Sequence, residues 1–203
     1  MGKLNGQSLF REENFMKPFC PAPWPEDPTP EHLKNCKECG LYEHGSRMIW
    51  GEGNPNAPLV ILLDNPGARE DKEGKEYVCG TRQTLQTAAY QVGLTDVDVY
   101  ITYVLKRRPR RKYDKDKTRA ICVRHLEQQL KDIQPPLVFC LGNMAVQSFF
   151  QNDEVDVKSL RGKFHYVNGY QAAVAYHPLA VRRRPNLWPG FLEDWQFVAK
   201  LLK

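Results

Sequence analysis

No apolar run in the 203-residue chain approaches the length that crosses a bilayer. Its opening stretch, MGKLNGQSLFREENF, lacks the apolar segment of a secretory signal. These two absences exclude a helical membrane protein and point to a soluble, cytoplasmic one with no membrane partner. No internal repeat or low-complexity tract stands out, which argues against a solenoid or a disordered linker. There are six cysteines. Without a signal peptide they do not read as a disulfide framework, so the Cys-x-x-Cys at Cys36 and Cys39 reads as a metal or redox pair. Cys79 and Cys140 sit in loop-like or strand-like surroundings and read as packing residues.

Hydrophobic residues make up 41% of the chain and charged residues 26%. That is the composition of a globular domain large enough to bury a core. The net charge of +5 is unevenly spread. Residues 106–119 carry nine Lys/Arg against two Asp, and Arg182, Arg183 and Arg184 follow later, so the remainder of the chain is mildly acidic. Two concentrated basic patches on an acidic body suggest a polyanionic partner, although charge runs are often only solvated loops.

The run LVILL at residues 59–63 follows the turn-like NPNAP and stops at Asp64-Asn65-Pro66-Gly67. A short continuous apolar run between turn residues predicts a strand buried on both faces. Residues 97–105, VDVYITYVL, predict a second strand that runs straight into the basic stretch. LVFCLG at 137–142 predicts a third. Helical spacing is present at Leu85, Ala88, Ala89 and Val92, and again at Val123, Leu126, Leu130 and Ile133, where Pro135 and Pro136 end it. Asn143 opens another short helix. Asn168-Gly169 predicts a hairpin whose second arm ends at His177-Pro178. A last helix buries Phe191, Trp195, Val198 and Leu202. The alternation predicts one three-layer αβα domain over residues 31–203, with a mainly parallel sheet of about four strands, preceded by an extended arm at 1–30 in which Trp24 packs on the body. In such sheets ligands bind at the carboxyl ends of strands, where Asp64, Asn65 and His177 fall.

Asn65 can orient a water, and His177 can donate a hydrogen bond to a developing anion. Basic residues beside them can hold phosphates, and Tyr77 can stack on a base. These parts suit hydrolysis of a base–sugar bond after base flipping. His125 is expected to face solvent and His165 to sit on the hairpin.

The order LVILLDNPGARED, GKEYVCG, VYITYVLKRRP, LVFCLG, LRGK and YHPLAVRRRP resembles the uracil-DNA glycosylase superfamily, most nearly its iron–sulfur family 4, from about Cys36 onward. The resemblance implies a monomeric DNA glycosylase of base excision repair that needs no nucleotide cofactor. It implies Asn65 and His177 as catalytic residues, with Asp64, Pro66, Gly67, Tyr77 and Tyr103 around the flipped base. It implies DNA contacts from Lys106, Arg107, Arg108, Arg110, Arg111, Pro178, Leu179, Arg182 and Arg183. The base is uracil or another deaminated or modified base, because Tyr103 stands where the family reads uracil with asparagine. A [4Fe-4S] cluster is implied at Cys36, Cys39 and Cys122, but the remaining ligand position is Arg107, in KRRP where the family has KCRP. An external ligand, Cys20, or loss of the cluster are the alternatives. Residues 106–119 hold no histidine, so covalent trapping through that loop is not expected. The competing functions are a DNA-binding protein on a glycosylase scaffold with little or no catalysis, and an enzyme acting on free nucleosides.

Overall fold

The computed structural model describes residues 19–72, 78 and 80–202. Tyr77 and Cys79 lie outside the described residues. Among the described residues seven strands form one sheet: β1 (Glu26–Asp27), β2 (Gly51–Gly53), β3 (Leu59–Leu63), β4 (Val99–Tyr103), β5 (Leu137–Leu141), β6 (His165–Val167) and β7 (Tyr170–Ala175). Their spatial order is β1-β2-β4-β3-β5-β7-β6. The central four, β4-β3-β5-β7, are parallel, as the continuous apolar runs require. The expected count of about four strands is therefore corrected to seven, because antiparallel strands extend both edges: β1 and β2 beyond β4, and β6 beyond β7. Part of the expected N-terminal arm thus joins the sheet, and Trp24 packs against its core.

Among the described residues six α-helices cover the sheet: α1 (Thr81–Gln91), α2 (Lys115–Ile133), α3 (Asn143–Phe150), α4 (Val157–Leu160), α5 (Pro178–Arg183) and α6 (Trp188–Leu201). The two-residue strand period divides the core into two layers. Leu59, Ile61 and Leu63 of β3 point with Leu85, Phe191 and Trp195 to the α1/α6 side. Val60 and Leu62 point with Leu126, Leu130 and Val146 to the α2/α3 side. Asp114 caps α2 by accepting from the Lys117 N–H. The Asn168-Gly169 turn has positive φ at both residues, 51° and 87°, the geometry that a two-residue hairpin favours. No helix among the described residues is long and apolar enough to cross a membrane.

The chain leaves β3 toward β4 on one side, then crosses back to place β5 and β7 on the other. This reversal opens a crevice beyond the carboxyl ends of the central strands.

Candidate active site

A cleft of about 420 Å³ lies at this reversal, lined among others by Asp64, Asn65, Gly67, Tyr103, His177 and Arg182. β3 delivers Asp64 and Asn65 where its ladder ends, and β7 delivers His177. Between them Gly142 opens α3 with φ +96°, and a Cβ there would stand 2.8 Å from the His177 Cβ. Only glycine lets the β5 turn and the His177 ring approach this closely.

His177 is the N-cap of α5, and its Nδ1 accepts the Leu179 N–H at 3.0 Å. An accepting Nδ1 carries no proton, so the ring is held as the neutral tautomer with its hydrogen on Nε2. Nε2 lies 3.3 Å from Asp64 Oδ1. Burial alone pushes the Asp64 carboxyl up; its interactions with His177, hydrogen-bonding and electrostatic, and the Asn65 N–H outweigh it and hold the group below its ordinary value. Asp64 is therefore a carboxylate facing His177 Nε2. The Asn65 amide donates from Nδ2 to the Pro66 carbonyl at 2.8 Å, which turns its oxygen the other way as an acceptor.

The wall beside Tyr103 is a buried network that the sequence reading did not contain. Arg82, the second residue of α1, donates to Glu52 Oε1 at 2.5 Å and to the Tyr103 hydroxyl at 2.7 Å. The Tyr103 hydroxyl in turn donates to Glu52 at 2.7 Å. Burial opposes the Arg82 cation, but Glu52 outweighs it and keeps it charged; burial likewise pushes the Tyr103 hydroxyl well up and keeps it protonated. Arg82 lines the cleft and is 5% exposed; its Nε faces Glu70 Oε1 at 3.7 Å, and its Nη1 has no hydrogen-bond partner among the described residues. Arg82 is a polar residue inside an otherwise apolar helical stripe, which is the signal that would have found it.

Three of the expected DNA contacts are corrected. Lys106 is 1% exposed, and its ammonium is bonded to Thr102 Oγ1 at 2.7 Å and Gln129 Oε1 at 2.5 Å, over the Trp50 ring. It faces the α2 core and cannot reach a phosphate. Arg107 turns inward as well, donating to the Ser46 carbonyl at 2.6 Å. Pro178 is buried as the first residue of α5, so it fixes the loop rather than presenting a surface. Arg110 is held by Asp71 at 2.5 Å and Arg111 reaches the Glu43 carbonyl at 3.1 Å. Arg182 and Arg183 are exposed, with Arg182 and Leu179 on the rim of the cleft.

A family model described as the uracil DNA glycosylase superfamily matches residues 50–201. The chain belongs to the uracil DNA glycosylase superfamily. It is 30% identical to the type-4 uracil-DNA glycosylase of Archaeoglobus fulgidus over 183 residues, 86% of this chain and 92% of that protein. It is 29% identical to the type-4 uracil-DNA glycosylase of Thermotoga maritima over 177 residues, 85% of this chain and 92% of that one. A DNA polymerase of Bacillus phage SP01 is 24% identical over 166 residues, 80% of this chain but 18% of the polymerase. The chain is accordingly a DNA glycosylase, a hydrolase of the N-glycosidic bond, and DNA is its substrate.

The cysteines expected to hold a cluster do not make a four-thiolate set: Cys36 lies with Glu38 and His125, and Cys39 and Cys122 are outside that group. The neighbouring Cys122 thiol, with the Leu41 backbone and the Arg107 charge, lowers Cys39 to about 6 against the opposing effect of burial, while Cys39 and burial raise Cys122. Cys36 Sγ lies 3.5 Å from His125 Nε2, so His125 is not the solvent-facing residue the sequence suggested. Arg107 brings a guanidinium, not a thiol, to the position of the remaining ligand. A [4Fe-4S] cluster takes four thiolates, and the residues present do not fit it.

Proposed function

We propose that the cleft removes uracil from DNA, with Asn65 and His177 as its catalytic residues. The observation that carries this reading is the locked His177 tautomer, which leaves one N–H, on Nε2, for a leaving base. The flipped nucleotide enters between Asn65 and His177, with Leu179 and Arg182 at the vacated position in the duplex. The C1′–N1 bond breaks with its electron pair going to the base. The His177 Nε2–H turns from Asp64 to the uracil O2 as negative charge develops there, and the Asp64 carboxylate faces the positive charge left on the sugar. A hydrogen bond of this kind is worth about 10²–10³ in rate. The Asn65 oxygen holds the water whose oxygen bonds to C1′ and whose proton neutralises the departing base. No nucleotide cofactor enters, and a four-thiolate cluster is not part of this reading.

Base choice falls to Arg82. The Tyr103 hydroxyl is spent on Arg82 and Glu52, which leaves the guanidinium as the reading group. A guanidinium offers donors only, so it favours the O4 of uracil and rejects the 4-amino group of cytosine. It favours the O6 of hypoxanthine and xanthine for the same reason.

Base release from oligonucleotides carrying uracil, cytosine, thymine opposite guanine, hypoxanthine or xanthine tests this. Uracil release lost by about 10²-fold or more in both Asn65→Ala and His177→Ala is expected. Release of an oxopurine without uracil would overturn the base assignment alone. No release from any substrate, with DNA binding intact, would overturn the catalytic reading.

A further inference from the structure

We propose that Glu70 reads the base: its carboxylate accepts the N3–H of the flipped uracil, between His177 at O2 and Arg82 at O4. The proposal rests on the reading of the cleft given above and adds the partner for the middle of the base edge.

The position supports it first. Glu70 lines the same cleft as Asn65, His177 and Arg82, and its side chain is 16% exposed. Its two oxygens face different elements. Oε2 lies against Gly67, so near that a Cβ there would collide with it. Oε1 stands 3.7 Å from Arg82 Nε, beyond hydrogen-bond distance. The carboxylate therefore sits between the turn that follows β3 and the Arg82–Tyr103 wall at the end of β4. In the sheet β3 lies between β7, which delivers His177, and β4, which ends at Tyr103. Across the crevice the order is His177, Glu70, Arg82.

The chemistry of that order supports it next. A carboxylate only accepts and a guanidinium only donates. With the His177 Nε2–H, the cleft offers a donor, an acceptor and a donor in turn. The edge of uracil is the complement: O2 accepts, N3–H donates and O4 accepts. Cytosine keeps O2, but it turns a bare N3 to Glu70 and an amino group to Arg82. It fails at two positions, and each failure leaves a desolvated polar group unpaired. Arg82 alone tests the exocyclic group, whereas Glu70 extends the test to the ring nitrogen.

The carboxylate is also held in advance. The Arg47 guanidinium donates to the Glu70 carbonyl at 2.8 and 3.1 Å. Asp71, the next residue, is buried and accepts from the Arg47 N–H at 3.1 Å and from Arg110 Nε at 2.9 Å. These bonds fix the backbone that presents Glu70, so little ordering remains when the base arrives.

The test measures kcat/KM for base release from oligonucleotides carrying deoxyuridine or N3-methyldeoxyuridine, with wild type, Glu70→Ala and Glu70→Gln. Methylation removes the N3 donor and leaves O2 and O4. Wild type is expected to favour uracil by about 10²-fold or more. Glu70→Ala should lose about 10–100-fold on uracil and little on the methylated base, so that the ratio falls by the same factor. Glu70→Gln keeps an acceptor oxygen and should retain most of the ratio. A purely structural role would lower both substrates together, and an unchanged ratio in Glu70→Ala would overturn the proposal. Equal release of the two bases by wild type would overturn it without any variant, which keeps the test open if Glu70→Ala does not fold. Release of neither base would sink the catalytic reading instead. Binding then decides Glu70, by fluorescence anisotropy on oligonucleotides carrying the 2′-fluoro analogues of both nucleotides. A preference for the N3–H form that Glu70→Ala abolishes upholds the proposal, and equal affinities overturn it.

Discussion

Two residues carry charge in places where charge is costly, and each sets a pH response. Lys106 has no carboxylate bonded to it among the described residues, and burial lowers its pKa to about 7. An unfolded lysine titrates near 10.5. Between these values the unfolded chain binds a proton that the folded chain does not, so stability rises with pH across that window; below it both forms are protonated and the full burial cost is present. Lys106→Met is expected to stabilise by about 1–4 kcal/mol near pH 6, with the gain shrinking toward pH 10. Urea denaturation at several pH values reads this directly, and a gain independent of pH would show that the ammonium is not the cause. Asp64 has the opposite sign. Its carboxyl titrates below its ordinary value, so any stability it adds is present above the unfolded value and is lost as pH falls through the folded one. Asp64→Asn keeps an acceptor for the His177 Nε2–H but removes the charge. A fall in kcat of roughly 10²-fold with little change in KM is expected, together with loss of the acid limb of the pH–rate profile.

At the scale of elements, the site depends on how closely β5 and β7 end. Gly142→Ala puts a methyl group 2.8 Å from the His177 Cβ at a backbone φ of +96°. The variant is expected to lose roughly 1–3 kcal/mol of stability and to displace His177, so that kcat falls while DNA affinity holds. Equal kcat in the variant would mean that His177 does not need this approach. Three of the four parallel strands that set up the crevice were legible as apolar or β-branched runs, and the fourth, β7, as the second arm of the Asn168-Gly169 hairpin. β1 and β2 were not: Glu26-Asp27 and Gly51-Glu52-Gly53 have no apolar alternation, and their pairing follows from neighbours distant in sequence. Asp64, Asn65 and His177 were legible as strand-end residues. Lys106 was misread because a basic run looks uniformly solvated. The alternation of β4 continues past its last ladder bond, however, and Lys106 falls in phase with Tyr100 and Thr102, toward α2. His125 was missed for a similar reason, although its place three residues after Cys122 sets it on the same helix face.

For the whole molecule, the question is how much of the +5 charge acts on DNA. Of the expected cations, Lys106 and Arg107 point inward, Arg110 is tied to Asp71, and Arg119 is bonded to Asp116 and Asp153. Arg182 lines the cleft, and the exposed Arg183 and Arg184 follow it immediately after the His177 loop. Each phosphate contact releases about 0.9 counterion on duplex DNA, so the slope of log affinity against log salt counts contacts. Arg182→Ala with Arg183→Ala should reduce that slope by about 1–2 and weaken binding similarly on all sequences, whereas Lys106→Met should leave it unchanged. Fluorescence anisotropy of a labelled duplex across a salt series measures both. A slope lost in Lys106→Met and kept in the double arginine variant would move the DNA from the rim of the cleft to the 106–119 loop. The His177 loop would then no longer face the strand that carries the base, and the catalytic reading would fall with it.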